Sequence, residues 1–191
     1  MLKDARTFLA IALVLWAVVI TFAVIESRRR NSLRREDNTK EVSLVKEEIK
    51  EQEAQIPNDI LIMLIDRESK WDKNAVGAAG ERGLMQIMPS TAKDMGAEPG
   101  WETDPVKNIQ TGCKYLRWLQ ERPVIAAIED YDKRWRFTLI AYNWGIGNVT
   151  NVLNGNKALS SIPDSSLRYA NDILGFDRFD PAPKWTSLEG F

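Results

Sequence analysis

Pro57-Asn58-Asp59-Ile60-Leu61-Ile62-Met63-Leu64-Ile65-Asp66-Arg67-Glu68-Ser69 is the stretch on which the reading of this 191-residue chain turns. Proline suits a helix's first turn, and Asn58 or Asp59 can cap the helix and favour the positive end of its dipole. The apolar run Ile60 to Ile65 then predicts a helix buried nearly all round. Glu68 follows Ile65 by three residues, Leu64 by four and Leu61 by seven, so helical spacing puts it on their face. A carboxylate there loses hydration, which favours its protonated form and raises its pKa. A general acid working near neutral pH requires that. Spacing alone leaves a second reading open, in which Glu68 turns outward into water at the last turn or pairs with Lys70 or Lys73.

Composition narrows the chemistry around this residue. The chain has 26 Lys+Arg, 27 Asp+Glu, one Cys and no His. Serine or cysteine catalysis through histidine, and histidine-ligated zinc, are therefore excluded, as is an internal disulfide. No cluster of ligands implies a metal or a cofactor. The charge is unevenly spread: residues 1–40 carry 8 basic and 4 acidic side chains, residues 41–191 carry 18 and 23. An acidic main body without a basic stripe argues against nucleic acid as partner.

The arginine excess lies beside Phe8–Ile25, eighteen residues without a charge. A membrane-crossing helix needs roughly 20 apolar residues, so a single-pass anchor over residues 1–27 is the expectation. A cleaved signal peptide is the alternative, but Ile25-Glu26-Ser27-Arg28-Arg29-Arg30 is a poor cleavage site. Residues 28–56 are polar and charge-dense, with Val42, Val45, Ile49 and Ile56 near heptad spacing, which reads as a helical stalk or a disordered linker. Residues 57–176 form the expected catalytic domain. Residues 177–191 have no periodicity and read as a wrapping strap or a loose tail.

Within the domain, helices are also expected at Pro89–Met95, Pro105–Glu121, Arg134–Tyr142 and Leu167–Leu174. Ala75–Met88 is at most a small hairpin around its glycines. The fold class is mainly α.

The residues after Glu68 carry more information. Glu68-Ser69-Lys70-Trp71 leads through Asn74-Ala75-Val76-Gly77 to Gly80-Glu81-Arg82-Gly83-Leu84-Met85-Gln86-Ile87-Met88-Pro89, then Thr91-Ala92. Downstream come Asp104-Pro105, Asn108-Ile109, Gly112, Tyr115-Leu116, Ala141-Tyr142-Asn143-Trp144-Gly145, Gly147, Ile162-Pro163 and Tyr169. In this order the motifs resemble the catalytic domain of the soluble lytic transglycosylases, a branch of the lysozyme-like superfamily. The resemblance spans about residues 57–175 and leaves out the anchor, stalk and tail.

The resemblance implies a lysozyme-like fold and cleavage of peptidoglycan between N-acetylmuramic acid and N-acetylglucosamine. Glu68 would protonate the glycosidic oxygen and then, ionised, take the proton of the muramoyl C6 hydroxyl as it closes onto C1. Ser69, Met85, Gln86, Tyr142, Asn143 and Tyr169 are the implied substrate-binding residues. Ser69 would lie in the sugar cleft and Met85 would offer a soft apolar wall. Gln86 would donate and accept hydrogen bonds, the Tyr142 hydroxyl would orient the acid, and Asn143 would hold an acetamide. Trp144 is a candidate stacking platform. An intramolecular nucleophile explains why no second acid stands out; Asp72 is the candidate in a hydrolytic variant, because ordinary glycosidases use two carboxylates.

The chain departs from the family pattern at Gly77, where Ser is frequent, at Trp144, and at Ser165-Ser166, where a Glu-Thr pair is usual. A hydrolytic muramidase and a non-catalytic glycan-binding subunit remain alternatives. The five arginines after Phe8–Ile25 favour a cytoplasmic C-terminal side, whereas peptidoglycan lies outside. Either other signals place the domain on the wall side of a bacterial inner membrane, or it is packaged with the internal membrane of a phage particle.

Overall fold

A computed structural model of the chain describes residues 25–30 and 40–175. The chain divides into two compact units, residues 1–44 and residues 45–191. In the first unit residues 25–30 and 40–44 are helical. The apolar run Phe8–Ile25 lies, except for Ile25, outside the described residues, as do residues 31–39 of the stalk and the tail 177–191. Among the described residues no helix is long and apolar enough to cross a membrane.

The second unit opens with helical residues 45–52. It continues with α1 (Asn58–Ser69), α2 (Pro89–Asp94), α3 (Pro105–Gln120), α4 (Pro123–Ala126), α5 (Tyr131–Trp144) and α6 (Ile146–Leu153). A 3-10 turn (Leu159–Ser161) and α7 (Asp164–Leu174) complete it. The fold is mainly helical, as its sequence predicts. Between α1 and α2 the anticipated hairpin reduces to two isolated antiparallel bridges, Val76 with Arg82 and Arg82 with Ile87. Too few residues separate the turns at Gly80 and Gly83 for a ladder to extend.

Helix ends follow local chemistry. Asp104 Oδ1 accepts the N–H groups of Val106 and Lys107, and Pro105 fills the first turn of α3. Asp130 Oδ1 accepts the Lys133 N–H at 2.7 Å, so α5 begins at Tyr131, earlier than the expected Arg134. Helix α1 is capped by no side chain; Asp59 Oδ1 takes the neighbouring Ile60 N–H instead.

Helix α5 is the hub. It packs against α7, α6, α3 and α4, while α1 lies along α7 and α2 along α3. Ile60, Leu61, Leu64 and Ile65 bury one side of α1, but Ile62 is 41% exposed. The helix is thus one-sided, not buried all round: α7 lies along it and Ile62 faces away. Helix α6 was not anticipated: tertiary contact on α5 buries its Val149 and Val152. Trp101 and Trp135 are core, Trp118 and Trp144 pack partly buried against it, and Trp71 is exposed.

The compact unit begins ahead of the expected boundary at Pro57. Ile49 and Ile56 are buried in the core, and Glu48, 5% exposed, accepts hydrogen bonds from Gln52 and from Gln110 of α3.

Candidate active site

Helix α1 delivers Glu68 to its last turn, where the chain stops being helical. Lys70 and Trp71 both have left-handed backbone (φ 54° and 65°), an unusual pair of non-glycine residues that turns the chain sharply away. Lys70 pairs with Asp66 at 2.8 Å and does not reach for Glu68. Glu68 itself is partly buried.

Its partner comes from α7. The Tyr169 hydroxyl donates to Glu68 Oε1. Burial pushes the Glu68 carboxyl up to about 7, against the lowering effects of the Tyr169 hydrogen bond and the Arg67 charge, with a further upward contribution from the charge of Glu81. Arg67 lies 5.9 Å over the Tyr169 ring and 3.5 Å from Asp172, so α1 and α7 are also joined beside the acid. Burial holds the Tyr169 and Tyr142 hydroxyls well above the usual phenol value, which keeps both neutral donors.

The two tyrosines divide the work differently from the sequence expectation. The resemblance implies that Tyr142 orients the acid, but its hydroxyl donates to the Met85 carbonyl at 2.7 Å. Tyr169, at the other end of the chain's core, makes the contact with Glu68. Near enough for the Glu68 charge to raise its pKa, Tyr142 braces the loop that flanks the acid.

That loop also revises Met85. Its side chain is fully buried, not a cleft wall: a Cβ on Gly112 of α3 would lie 2.3 Å from the Met85 sulfur. The Met85 N–H donates to Asn108 Oδ1 at 2.8 Å, and Asn108 Nδ2 donates to the carbonyls of Arg82 and Trp101. Gly83, at φ 75°, leaves room for this amide; a Cβ there would meet Asn108 Nδ2 at 2.3 Å. Sequence reading placed Asn108 only in the family pattern, yet it is the clamp of the loop.

Gln86 has left-handed backbone (φ 47°), and its Nε2 donates to the carbonyls of Ala75 and Gly83. Its amide donors therefore shape the loop. Ser69 is buried and its hydroxyl donates to the Ile65 carbonyl within α1, so it is not presented to a cleft as a donor. Asn143 is exposed and its Oδ1 accepts from Ser166, the residue that stands in the Ser165-Ser166 departure. Asp72 is exposed and its Oδ1 takes the Asn74 N–H, a turn contact. Along the α1–α7 seam runs a groove of about 510 Å³ lined by Met63, Asp66, Arg67, Lys70, Asp172, Ile173 and Gly175. Glu68 is not among its walls. Cys113 is buried with its thiol pushed up to about 12, which rules it out as a nucleophile. Among the described residues no group of acidic or cysteine side chains is arranged to hold a metal ion.

A carboxyl poised near neutrality, held by one neutral hydroxyl and flanked by a braced loop, can give up a proton and take one back. Residues 46–164 match the model of the transglycosylase SLT domain. The chain is 33% identical over 134 residues to membrane-bound lytic murein transglycosylase F of Pasteurella multocida, covering 69% of this chain and 26% of that protein. It is 35% identical over 106 residues to the protein of that name from Aeromonas salmonicida, covering 56% and 21%. Among solved structures, the 70 kDa soluble lytic transglycosylase of Escherichia coli superposes with a TM-score of 0.55 at 28% identity, over 69% of this chain and 23% of that one. The chain thus spans about a quarter of the length of these relatives.

Proposed function

The chain belongs to the transglycosylase SLT domain family, and from that premise we propose that it is a peptidoglycan lytic transglycosylase with Glu68 as its single acid and base. One observation carries the reading. Glu68 is lifted to about 7 by burial while a neutral tyrosine hydroxyl holds its carboxyl in place. Protonated Glu68 gives its proton to the glycosidic oxygen as the bond from C1 of N-acetylmuramic acid breaks. The muramoyl C6 oxygen then closes onto C1, and its proton returns to Glu68. The product is a 1,6-anhydromuramoyl end, no water is consumed, and the enzyme ends as it began.

Digestion of purified sacculi and mass measurement of the released muropeptides tests this. The expected product is lighter by one water than a reducing end, and Glu68→Gln releases none. A reducing end would replace the reading with a muramidase. No release by the wild-type chain would leave a glycan-binding subunit.

The chain's location is part of the proposal. Phe8–Ile25 anchors it in a membrane as a single helix, with the catalytic domain on the wall side. Its support is the uncharged length of that run. A cysteine introduced near Thr39 and treated with an impermeant reagent in intact cells reports the side. Labelling is expected; protection would favour a domain held inside, as in a particle that carries its own lipid.

A further inference from the structure

Helices α5 and α7 are joined near the acid by a side-chain bond that the reaction above does not use. Ser166 Oγ donates to Asn143 Oδ1 at 2.8 Å. A serine in the first turn of a helix commonly spends its hydroxyl on nearby backbone; Ser166, in the first turn of α7, sends it across to α5. Ser166 is 2% exposed, whereas Asn143 is exposed, so a buried hydroxyl holds a surface amide. The bond lies beside the site. Ser166 and Tyr169 are three residues apart on α7, so both leave the same face, separated by about 5 Å along the axis. Tyr169 donates to Glu68, and Tyr142, the residue before Asn143, donates to the Met85 carbonyl of the loop.

An amide carries an acceptor oxygen and a donor nitrogen, and rotation of the group exchanges them. With Oδ1 taken by Ser166, the nitrogen is the end left over, and among the described residues it donates to nothing. Asn143 therefore offers hydrogens outward, not a carbonyl. We propose that Ser166 is a positioning residue for the substrate: by holding Asn143 Oδ1 it fixes the amide as a donor, so that the site accepts the acetamide carbonyl of an N-acetylated sugar and rejects the ammonium of a de-N-acetylated one. This rests on the function proposed above, and it adds to the implied acetamide contact the group that sets its polarity. An ammonium placed against the amide nitrogen leaves donors on both sides unpaired. Without the Ser166 hydroxyl the amide is free to turn its oxygen towards that ammonium. Discrimination is a difference of two affinities, and Ser166 acts on the difference without touching the sugar.

The test is binding to the full chain carrying Glu68→Gln, so that no turnover intervenes. The probes are a soluble N-acetylglucosamine oligosaccharide and its fully de-N-acetylated counterpart. The parent is expected to prefer the acetylated probe. Ser166→Ala should weaken that probe roughly three- to tenfold, the size of one neutral hydrogen bond, and narrow the preference. Ser166→Thr keeps the hydroxyl and should restore both. In chains that also carry Asn143→Ala, Ser166→Ala should change nothing further. Asn143→Asp keeps an oxygen for Ser166 and loses both donors, so it should favour the de-N-acetylated probe. A preference unmoved by Ser166→Ala, an equal weakening of both probes whether or not Asn143 is present, or an Asn143→Asp chain that still prefers the acetylated probe overturns the proposal. Because the probes are bound and not cut, the result stands whether the muropeptide masses show an anhydro end, a reducing end or no release.

Discussion

Tyr169 donates its hydroxyl hydrogen to Glu68 across 101 positions of sequence, and that single bond joins α7 to the end of α1 at the proposed acid. A donor stabilises the ionised form of its acceptor. Tyr169→Phe keeps the ring beneath Arg67 and removes only the hydroxyl, so Glu68 should rise above about 7. The alkaline limb of the rate profile moves up accordingly. Turnover at the optimum falls roughly tenfold, less than the roughly hundredfold or more lost with a group that itself transfers the proton, because the carboxyl loses its anchor. A downward shift of the limb would contradict the assigned direction of the bond.

The proton held by Glu68 also has a thermodynamic signature. The carboxyl titrates at 4.5 in the unfolded chain and at about 7 in the fold. Between these values the native state holds a proton the unfolded state has released, so stability falls as pH rises through the window. Below 4.5 the effect vanishes, and above about 7 it is constant. Glu68→Gln never ionises. It should be more stable than wild type at pH 8, by on the order of 3 kcal/mol, and little different at pH 4. Denaturant melts at the two pH values measure the difference; a variant less stable at pH 8 than at pH 4 relative to wild type would reverse the sign.

Local rules reached some of these features and stopped short of others. The i, i+3, i+4, i+7 spacing of Ile65, Leu64 and Leu61 found both α1 and the acid, since a helix face is a property of neighbours in sequence. The same six apolar residues concealed the exposure of Ile62, because an uninterrupted run has no polar side to mark. Choosing between Tyr142 and Tyr169 lay beyond any spacing rule: one sits on α5, the other on α7, and only packing decides which hydroxyl reaches α1. Met85 and Gln86 adjoin in the motif, yet the left-handed backbone of Gln86 breaks the regular alternation and leaves Met85 against Gly112.

Asn108 tests how far the loop depends on one amide. It is 1% exposed and satisfies one N–H and two carbonyls from Met85, Arg82 and Trp101. Asn108→Ala leaves the Met85 N–H and the Trp101 carbonyl without partners, while the Arg82 carbonyl keeps the Ile87 N–H. The cost is about 2–4 kcal/mol, two such penalties with water entering part of the space. Asn108→Asp keeps the acceptor but sets a carboxylate against two carbonyl oxygens, and should be at least as damaging. Thermal melts rank the variants; an alanine variant as stable as wild type would mean the loop is held elsewhere.

The boundary of the catalytic unit yields the last prediction. A charge-dense segment ahead of Pro57 has the composition of a linker, yet its sparse apolar positions Ile49 and Ile56 are 7% and 1% exposed. Glu48 and Gln52 reach Gln110 and Arg117 of α3, the latter with Arg117 donating to Gln52 Oε1 at 2.7 Å. Each buried isoleucine contributes roughly 1.5–3 kcal/mol, so residues 45–56 supply about 3–6 kcal/mol, a large share of the roughly 5–15 kcal/mol that holds a domain together. A chain beginning at Val45 should melt cooperatively and keep its activity on isolated sacculi. One beginning at Pro57 should melt far lower or fail to fold, although it retains Glu68, Tyr169 and the whole loop. Equal melting of the two would return residues 45–56 to the role of a tether; the buried contacts of Ile49 and Ile56 make them the outer layer of the core.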